Sequence, residues 1–143
     1  MANKVEDIMT RRVFSVGLED SMETIRDGME AFSVKHIPVV DGNKIVGLLS
    51  SMDVASFSES QFRTSRVSRA IDDTRMEETF VAEVMTRDVR TVRPEMLIAD
   101  AAELLLKHKI GCLPVTEADG TLVGIVTKLD FVKALVTLLR KSG

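Results

Sequence analysis

The alternation of apolar and polar positions in the first half of the chain predicts a short succession of elements. Residues 13–16 form a brief apolar run typical of a strand. Ser21 is suited to cap a helix, because the apolar positions after it recur at helical spacing. Two further apolar runs, residues 37–40 and 45–49, flank Asp41-Gly42-Asn43 and predict a β-hairpin. Another helix is expected from Ser50 onward. The predicted plan is strand, helix, hairpin, helix.

The second half repeats this plan. Thr91-Val92-Arg93-Pro94 leads into a helix whose predicted apolar positions are Ile98, Ala101, Leu104 and Leu105. Leu97 replaces the capping serine, and Gly111 is expected to end the helix as a glycine beyond the C-cap. A second hairpin turns at Asp119-Gly120. The last helix is predicted to be amphipathic, with apolar residues at Phe131, Ala134, Leu135, Leu138 and Leu139.

The two halves align residue by residue. Pro114 lies 76 positions after Pro38, and Asp130 lies 77 positions after Asp53, so one residue was gained in the intervening hairpin. We therefore divide the chain into a first repeat at residues 1–66, a linker at 67–80 and a second repeat at 81–143. The polar stretch at residues 58–80 is the least predictable part, and some of it is expected to pack on a face or a partner.

This organisation predicts an α/β (α+β) fold built from two strand-helix-hairpin-helix units. One unit is about half the size of a comfortable domain, and the apolar face of its sheet needs a cover. The other copy is the obvious cover. We expect the repeats to pack sheet to sheet about a pseudo-twofold axis, leaving two related clefts between them.

Composition narrows the function classes. The 143 residues carry a formal charge of −3 and only 4% aromatic residues, without Trp or Tyr, which argues against a nucleic-acid partner. No apolar run reaches membrane length, so no membrane association is expected. The single cysteine suits a reducing compartment, and the chain start lacks the apolar core of a signal peptide. A cytoplasmic location is expected.

A hydroxyl and a carboxylate three residues apart follow each hairpin, as Ser50 with Asp53 and as Thr127 with Asp130. Such a pair is a common capping box, in which the hydroxyl and the acid satisfy backbone N–H groups of the first helical turn. It is also suited to clamp a nucleoside, since a carboxylate accepts hydrogen bonds from a ribose diol and a hydroxyl at a helix start meets phosphate. One residue can serve both purposes.

Each apolar strand contains a proline, Pro38 or Pro114, that cannot donate to a ladder. An edge strand or a strand's first residue would explain this. Alternatively, the residues before each proline keep free backbone groups that read the edge of a base. In that case Ile37 and Leu113 would form one side of a pocket for an adenine-like ring. The opposite wall would come from the first strands, at Ser15-Val16 and Thr91-Val92.

The remaining reactive side chains offer little chemistry. His36 and His108 lack partners at metal-ligand spacing, so no metal site is expected. Cys112 is interpreted as a small buried residue. Lys128, Arg11, Arg12 and Arg87 could neutralise phosphate, with solvated side chains as the alternative. Because no activated nucleophile or paired acid and base is evident, we do not expect an enzyme.

Taken together, the motifs resemble a CBS domain. The motifs are Val-x-x-Val-Met-Thr, Thr-Val-x-Pro, Gly-x-x-Pro-Val and Asp-Gly-x-Leu-Val-Gly-Ile-Val-Thr with a following Asp. The pattern appears in both halves, with substitutions in the first, so the chain resembles a stand-alone CBS-domain pair, or Bateman module. The resemblance implies a disc-shaped homodimer that binds an adenosine-containing ligand (AMP, ADP, ATP or S-adenosylmethionine) to regulate a partner protein. It implies no required cofactor.

By the same resemblance, the ribose-binding acids are Asp53 and Asp130, and the phosphate-side hydroxyls are Ser50 and Thr127. The base-contacting segments are His36-Ile37-Pro38 and Cys112-Leu113-Pro114. Lys35 replaces Gly111 in the first copy, which departs from the pattern, and occupancy of a single site is one expectation. The alternative function is a structural dimerisation module without nucleotide. The deciding feature is whether Asp53 and Asp130 face an open space or are consumed by their own helix starts.

Overall fold

The computed structural model describes residues 2–58 and 74–142. We number its elements in chain order. They are α1 (Val5–Ile8), β1 (Val16–Gly17), α2 (Met22–Phe32), β2 (His36–Asp41), β3 (Lys44–Ser50), α3 (Ser51–Ser58), α4 (Val81–Val84), α5 (Ile98–His108), β4 (Cys112–Thr116), β5 (Leu122–Thr127) and α6 (Lys128–Ser142). Residues 74–78 are also helical. The mixed α/β class and the twofold repetition of the plan are as predicted.

The described residues form two compact units that do not coincide with the sequence repeats. The repeat-one unit spans Phe14 to Val89, and the repeat-two unit joins the chain start up to Val13 to everything from Arg90 onward. Each repeat therefore lends its opening segment, residues 4–10 or 80–86, to the unit built mainly from the other repeat. The predicted limits 1–66 and 81–143 describe the repeats as sequences, and the limit at 66/67 lies outside the described residues.

A three-stranded sheet in the order β1-β2-β3 underlies the repeat-one unit. Val16 pairs in parallel with Val39, and β2 runs antiparallel to β3 with Pro38 opposite Leu48. The first strand is shorter than predicted. Phe14 lies outside the ladder, where its ring covers Gly28 and stacks on Phe32 at 4.8 Å between ring centroids.

The repeat-two unit contains the corresponding sheet in reduced form. Strands β4 and β5 are antiparallel, with Pro114 opposite Ile125. The predicted first strand is reduced to a single parallel bridge between Val92 and Val115. On the other edge, Thr10 and Ile125 exchange backbone hydrogen bonds of 2.8 and 2.9 Å. Thr86 and Leu48 exchange the equivalent pair in the repeat-one unit, at 3.0 Å each.

These edge contacts explain why proline is tolerated within the hairpins. Both backbone groups of Ile125 are bonded to Thr10, so Pro114 and Ile125 form a non-hydrogen-bonded pair of the antiparallel ladder. The missing N–H of Pro114 consequently costs β5 no partner. Pro38 opposite Leu48 repeats the arrangement, because Leu48 is bonded to Thr86.

Each unit has its own hydrophobic core. In the repeat-one unit, Met22, Ile25, Ile37 and Leu49 are fully buried. Met76, 1% exposed, joins them from the helical residues 74–78, as expected for part of the inter-repeat connection. The polar stretch predicted to precede it, residues 59–73, lies outside the described residues. In the repeat-two unit the fully buried residues are Val5, Ala101, Leu113, Val115 and Val126.

Some of the helix termini agree with the sequence prediction and others do not. Ser21 accepts a hydrogen bond from Thr24 N at 3.3 Å, which confirms the predicted cap. Leu97 makes no side-chain cap, and the carbonyl of Asn3 instead accepts a 2.8 Å bond from Ile98 N. The expectation that Gly111 ends α5 is wrong. The helix ends at His108, and Lys109 adopts the left-handed conformation with φ of 54°.

The predicted amphipathic helix at the end of the chain is present as α6, and most of its apolar side chains are exposed. Phe131 packs partly on the core of the repeat-two unit, yet no residue of α6 is fully buried. One side of the helix is an apolar stripe of exposed residues: Leu129, Val132, Leu135, Val136 and Leu139. Among the described residues, the side chains of this stripe remain 45–61% exposed.

Candidate functional site

The junction between β3 and α3 positions the first hydroxyl–acid pair. Oδ2 of Asp53 accepts hydrogen bonds from Ser50 N at 2.8 Å and from Ser50 Oγ at 3.0 Å. Asp53 N donates in return to Ser50 Oγ at 3.2 Å. The pair is thus a reciprocal capping box, as one of the two sequence interpretations proposed.

The junction between β5 and α6 repeats the two bonds that the acid accepts and adds a third. Oδ2 of Asp130 accepts from Thr127 N at 2.9 Å and from Thr127 Oγ1 at 3.3 Å. Its second oxygen, Oδ1, accepts a long bond of 3.4 Å from Thr10 Oγ1. The opening segment of the first repeat therefore touches the acid of the second.

Capping does not use up either carboxylate. In both junctions the cap engages Oδ2, and each carboxylate oxygen offers two acceptor sites. Oδ1 of Asp53 has no hydrogen bond to another residue within 2–58 or 74–142. In the same described ranges, the long Thr10 contact is the only hydrogen bond of Asp130 Oδ1, and a better donor could replace it. The capping and ribose-binding roles are therefore compatible at both positions.

The predicted base-contacting residues lie beside these acids. Strand pairing puts His36 opposite Ser50 and Cys112 opposite Thr127. The carbonyl of Lys35 accepts from Ser51 N at 2.8 Å, and the carbonyl of Gly111 accepts from Lys128 N at 3.1 Å. The first repeat has Lys35 where the second has Gly111, and both residues make this backbone contact.

The predicted walls are mostly core residues. Ile37 and Leu113 have no exposed surface, so in this conformation only their backbone could meet a ring. Val16 and Val92 are similarly buried, at 4% and 2% exposure. Ser15 is half-buried and Thr91 is exposed. The apolar side chains of the four buried residues belong to the two cores, and their contact with a ligand stays a prediction.

Each acid lines a cavity within its own unit. A cavity of about 440 Å³ in the repeat-one unit is lined by Asp53, Ser56, Phe57, Arg75 and Val84. A cavity of about 300 Å³ in the repeat-two unit runs along α6 from Asp130 to Lys141 and includes Ile8 and Lys133. Both volumes fall in the range of small-molecule sites. The acids therefore face open space as well as capping their helices.

Sequence reasoning missed several of these cavity residues. Lys133 was recognisable in principle, because it lies three residues after Asp130 and so shares its face of the helix. Phe57 similarly follows Asp53 by four residues. Arg75 had no such signal, because it is far from Asp53 in sequence and belongs to the stretch interpreted as a linker.

Other predicted cations are engaged elsewhere or are exposed. Arg11 Nη2 donates to the carbonyl of Glu6 at 3.2 Å, and Arg87 Nη2 donates to the carbonyl of Ala82 at 3.0 Å. Both thus bond the backbone of their own opening segment. Lys128 and Arg12 are exposed. Lys128 does not belong to the described lining of the Asp130 cavity.

The remaining candidate groups are not arranged for catalysis or metal binding. Burial raises the pKa of the Cys112 thiol to about 12, so it is protonated and unreactive at neutral pH. Across the described ranges, no group of three or more His, Cys, Asp or Glu side chains could hold a metal ion. None of the helices described there is long and apolar enough to cross a membrane.

A family model decides the classification. The CBS domain model matches residues 5–60 and again residues 81–137. The chain belongs to the CBS-domain family. The two matches correspond to the two repeats, so the protein is a CBS-domain pair, as its motifs suggested.

Solved structures of CBS-domain pairs share this fold over nearly their full length. A protein assigned to acetoin utilization (AcuB) from Vibrio cholerae is 35% identical, with a TM-score of 0.78 and coverage of 98% of this chain and 95% of that one. CBSX2 from Arabidopsis thaliana is 29% identical, with a TM-score of 0.83 and coverage of 98% and 99%. CBSX2 has also been solved in complex with AMP, and that structure has a TM-score of 0.78 to this chain.

Sequence relatives include both small proteins and enzymes. A CBS domain-containing protein of Dictyostelium discoideum is 24% identical over 136 residues, which cover 94% of this chain and 92% of that protein. The inosine-5′-monophosphate dehydrogenase of Korarchaeum cryptofilum is 32% identical over 127 residues. That match includes 89% of this chain but only 23% of the dehydrogenase.

Proposed function

We propose that this CBS-domain pair is a regulatory module that senses an adenosine-containing ligand, namely AMP, ADP, ATP or S-adenosylmethionine. The observation that carries the proposal is the position of Asp53 and Asp130. Each acid lines a cavity within its unit and keeps Oδ1 accessible while Oδ2 caps its helix. The AMP complex of CBSX2, which is 29% identical to this chain, supports the same ligand class.

In this proposal Asp53 and Asp130 accept hydrogen bonds from a ribose diol, and the hydroxyls of Ser50 and Thr127 meet the phosphate side. The backbone before and at each proline contacts the base. Its two segments are His36-Ile37-Pro38 and Cys112-Leu113-Pro114. The first strands, at Ser15-Val16 and Thr91-Val92, approach from the other side. Lys128, exposed at the start of α6, adds positive charge to the second site.

We further propose that the module acts on a partner protein and is not itself an enzyme. The dehydrogenase relative shares only about a quarter of its length with this chain, whereas the Dictyostelium relative is matched over nearly all of its length. The free thiol of Cys112 suits a reducing compartment, and we propose the cytoplasm as the place of action. The capping boxes support a second candidate function, an interaction module in which both acids serve only their helices.

A thermal-shift panel of AMP, ADP, ATP, S-adenosylmethionine, NADH and GTP tests the proposal. At 100 times its Kd, a ligand should stabilise the fold by about 2.7 kcal/mol. We expect Asp130→Ala to abolish the response of the second site and Asp53→Ala that of the first. Each variant should also lose about 1 kcal/mol without ligand, since a helix cap is removed. The readout is therefore the shift caused by ligand.

Asp88→Ala, at an exposed position outside both described cavity linings, is the matched control and should keep the full response. The wild type should be tested both as purified and after unfolding and refolding, which removes any ligand carried through purification. If no ligand shifts the refolded wild type, the sensing function is rejected and the interaction module is favoured.

We also propose that the protein is a homodimer that forms through α6. The exposed stripe Leu129, Val132, Leu135, Val136 and Leu139 lies on the side of the helix opposite the residues that line the Asp130 cavity. An apolar helix face of this length is typical of an interface. Dimerisation would therefore leave the ligand site accessible.

Charge on the α6 stripe is expected to separate the dimer. Sedimentation equilibrium of Leu135→Glu combined with Val132→Glu should give the monomer mass at concentrations where the wild type is dimeric, because both substitutions desolvate a carboxylate at the interface. Leu106→Glu, at a 79% exposed position of α5, is the control and should stay dimeric. A wild type that is monomeric at tens of micromolar would contradict this expectation.

A further inference from the structure

The two cavities share an acid but differ in the source of their positive charge. Four positions correspond between them: Asp53 with Asp130, Ser56 with Lys133, Phe57 with Ala134 and Val84 with Ile8. Only the second pair exchanges a neutral side chain for a charged one. The repeat-one cavity nevertheless has a cation, Arg75, which reaches it from the helical residues 74–78.

Helix geometry places Lys133 next to the ribose acid. It follows Asp130 by three residues, so the two side chains share a face with a rise of roughly 4.5 Å between them. Both line the same cavity, and Lys141 lines it further along α6. A ligand held by Asp130 would have an ammonium group within one helical turn of its sugar.

In the repeat-one cavity the cation is Arg75, which comes from the helical residues 74–78 and not from the helix that carries Asp53. Its guanidinium lies 4.7 Å from the centre of the Phe57 ring, and both residues line the cavity with Asp53. Stacking on an aromatic face orients a guanidinium and leaves its N–H donors at the edge. Those donors match the oxygens of a phosphate better than a single amine would.

Neither Arg75 nor Lys133 forms an ion pair with a carboxylate of the described part of the chain. The ion pairs found among residues 2–58 and 74–142 join Arg26 to Glu23 and Asp27, and Arg93 to Glu95. Asp7 and Asp130 line the same cavity as Lys133, and each directs one carboxylate oxygen to backbone N–H groups at its own helix start. Asp7 accepts bonds from Asn3 N and Lys4 N, and Asp130 accepts one from Thr127 N. Each cavity is therefore lined by a cation that has no ion pair with a described carboxylate.

We propose that Arg75 and Lys133 are specificity-determining residues that select a ligand with a phosphate group. This inference rests on the proposed function, because it assumes that Asp53 and Asp130 hold a ribose. The acid and the cation in each cavity together fit a phosphorylated nucleoside. A neutral nucleoside leaves the cation unpaired, and S-adenosylmethionine brings a positive sulfonium beside it. Both cavities accordingly prefer AMP, ADP or ATP.

Isothermal titration calorimetry with AMP, adenosine and S-adenosylmethionine tests this selection. Asp53→Ala isolates the second cavity, and adding Lys133→Ser installs the residue that the first repeat has at that position. We expect AMP to bind about tenfold more weakly, since one charge-assisted contact is lost, while adenosine binding stays unchanged. Lys107→Ser, an exposed position on α5 outside the described lining, should change neither affinity.

The first cavity allows the reciprocal experiment. In an Asp130→Ala background, Arg75→Gln should lower AMP affinity by a similar factor, and Ser56→Lys in addition should restore much of it. Raised salt should weaken AMP binding more than adenosine binding. If AMP and adenosine bind equally well and Lys133→Ser changes neither, the selection is wrong while the proposed function stands. If neither ligand binds the wild type, the proposed function fails and this inference with it.

Discussion

Gly124→Ala is expected to lower the free energy of unfolding by about 2 kcal/mol, because the added methyl group has no room. A Cβ at this position would lie 2.7 Å from Met9 Sδ and 3.0 Å from the carbonyl oxygen of Thr10. The methionine can move, but the carbonyl is held by its 2.9 Å hydrogen bond from Ile125 N. Relief of the clash would have to break the contact between the opening segment and β5.

Gly47 is the equivalent position in the first repeat. We expect Gly47→Ala to lower the free energy of unfolding by less than Gly124→Ala does. The three atoms nearest to a Cβ there all belong to the side chain of Met85. We therefore expect Met85→Ala to rescue Gly47→Ala in a double-mutant cycle, whereas Met9→Ala should rescue Gly124→Ala only partly. Urea denaturation monitored by circular dichroism measures all variants. Gly17→Ala, where the nearest atom is 3.8 Å away, is the control.

Equal losses at Gly47 and Gly124, with equal rescue, would contradict this prediction. They would mean that the Thr10 carbonyl does not limit the space beside β5. A tolerated Gly124→Ala would show that the opening segment is not held against the hairpin in solution.

Val5→Ala is expected to loosen the repeat-two unit although Val5 begins the first repeat. Its side chain is fully buried in the core with Val92, Leu113 and Val126, and its N–H donates to Met96 O at 2.8 Å. Loss of two buried carbons and the resulting cavity should cost about 2 kcal/mol. Val81→Ala is the mirror experiment, since Val81 is fully buried in the core of the repeat-one unit.

Hydrogen exchange read by mass spectrometry distinguishes the two variants. Val5→Ala should accelerate exchange in α5, β4 and β5, while Val81→Ala should do so in α2, β2 and β3. The opposite assignment, with each variant loosening the repeat that contains it in sequence, would show that the opening segments are not exchanged. Val136→Ala, on the exposed stripe, is a control of the same chemistry and should leave the exchange of both cores unchanged at concentrations where the protein is monomeric.

The candidate site was predictable to the extent that it is local. The pairs Ser50/Asp53 and Thr127/Asp130 were found from a spacing of three residues, and in the structure each acid accepts a bond from the backbone N–H of its paired hydroxyl residue. The burial of Ile37 and Leu113 could not be predicted from the sequence, because buried strand residues and ligand-contacting residues are equally hydrophobic. Their zero exposure comes from the tertiary structure alone.

The sequence by itself determined the twofold plan, the hairpins, the Ser21 cap and the hydroxyl–acid pairs. All of these depend on turn chemistry and on periodicity over a few residues, which neighbouring side chains encode directly. Only the tertiary structure decided that each opening segment packs in the unit of the other repeat, that Arg75 joins Asp53, and that the apolar stripe of α6 is exposed. These features arise from contacts between residues far apart in the chain. Because the two repeats are similar in sequence, each opening segment could pack on the hairpin of its own repeat or on that of the other repeat. Only the tertiary structure shows that it packs on the other.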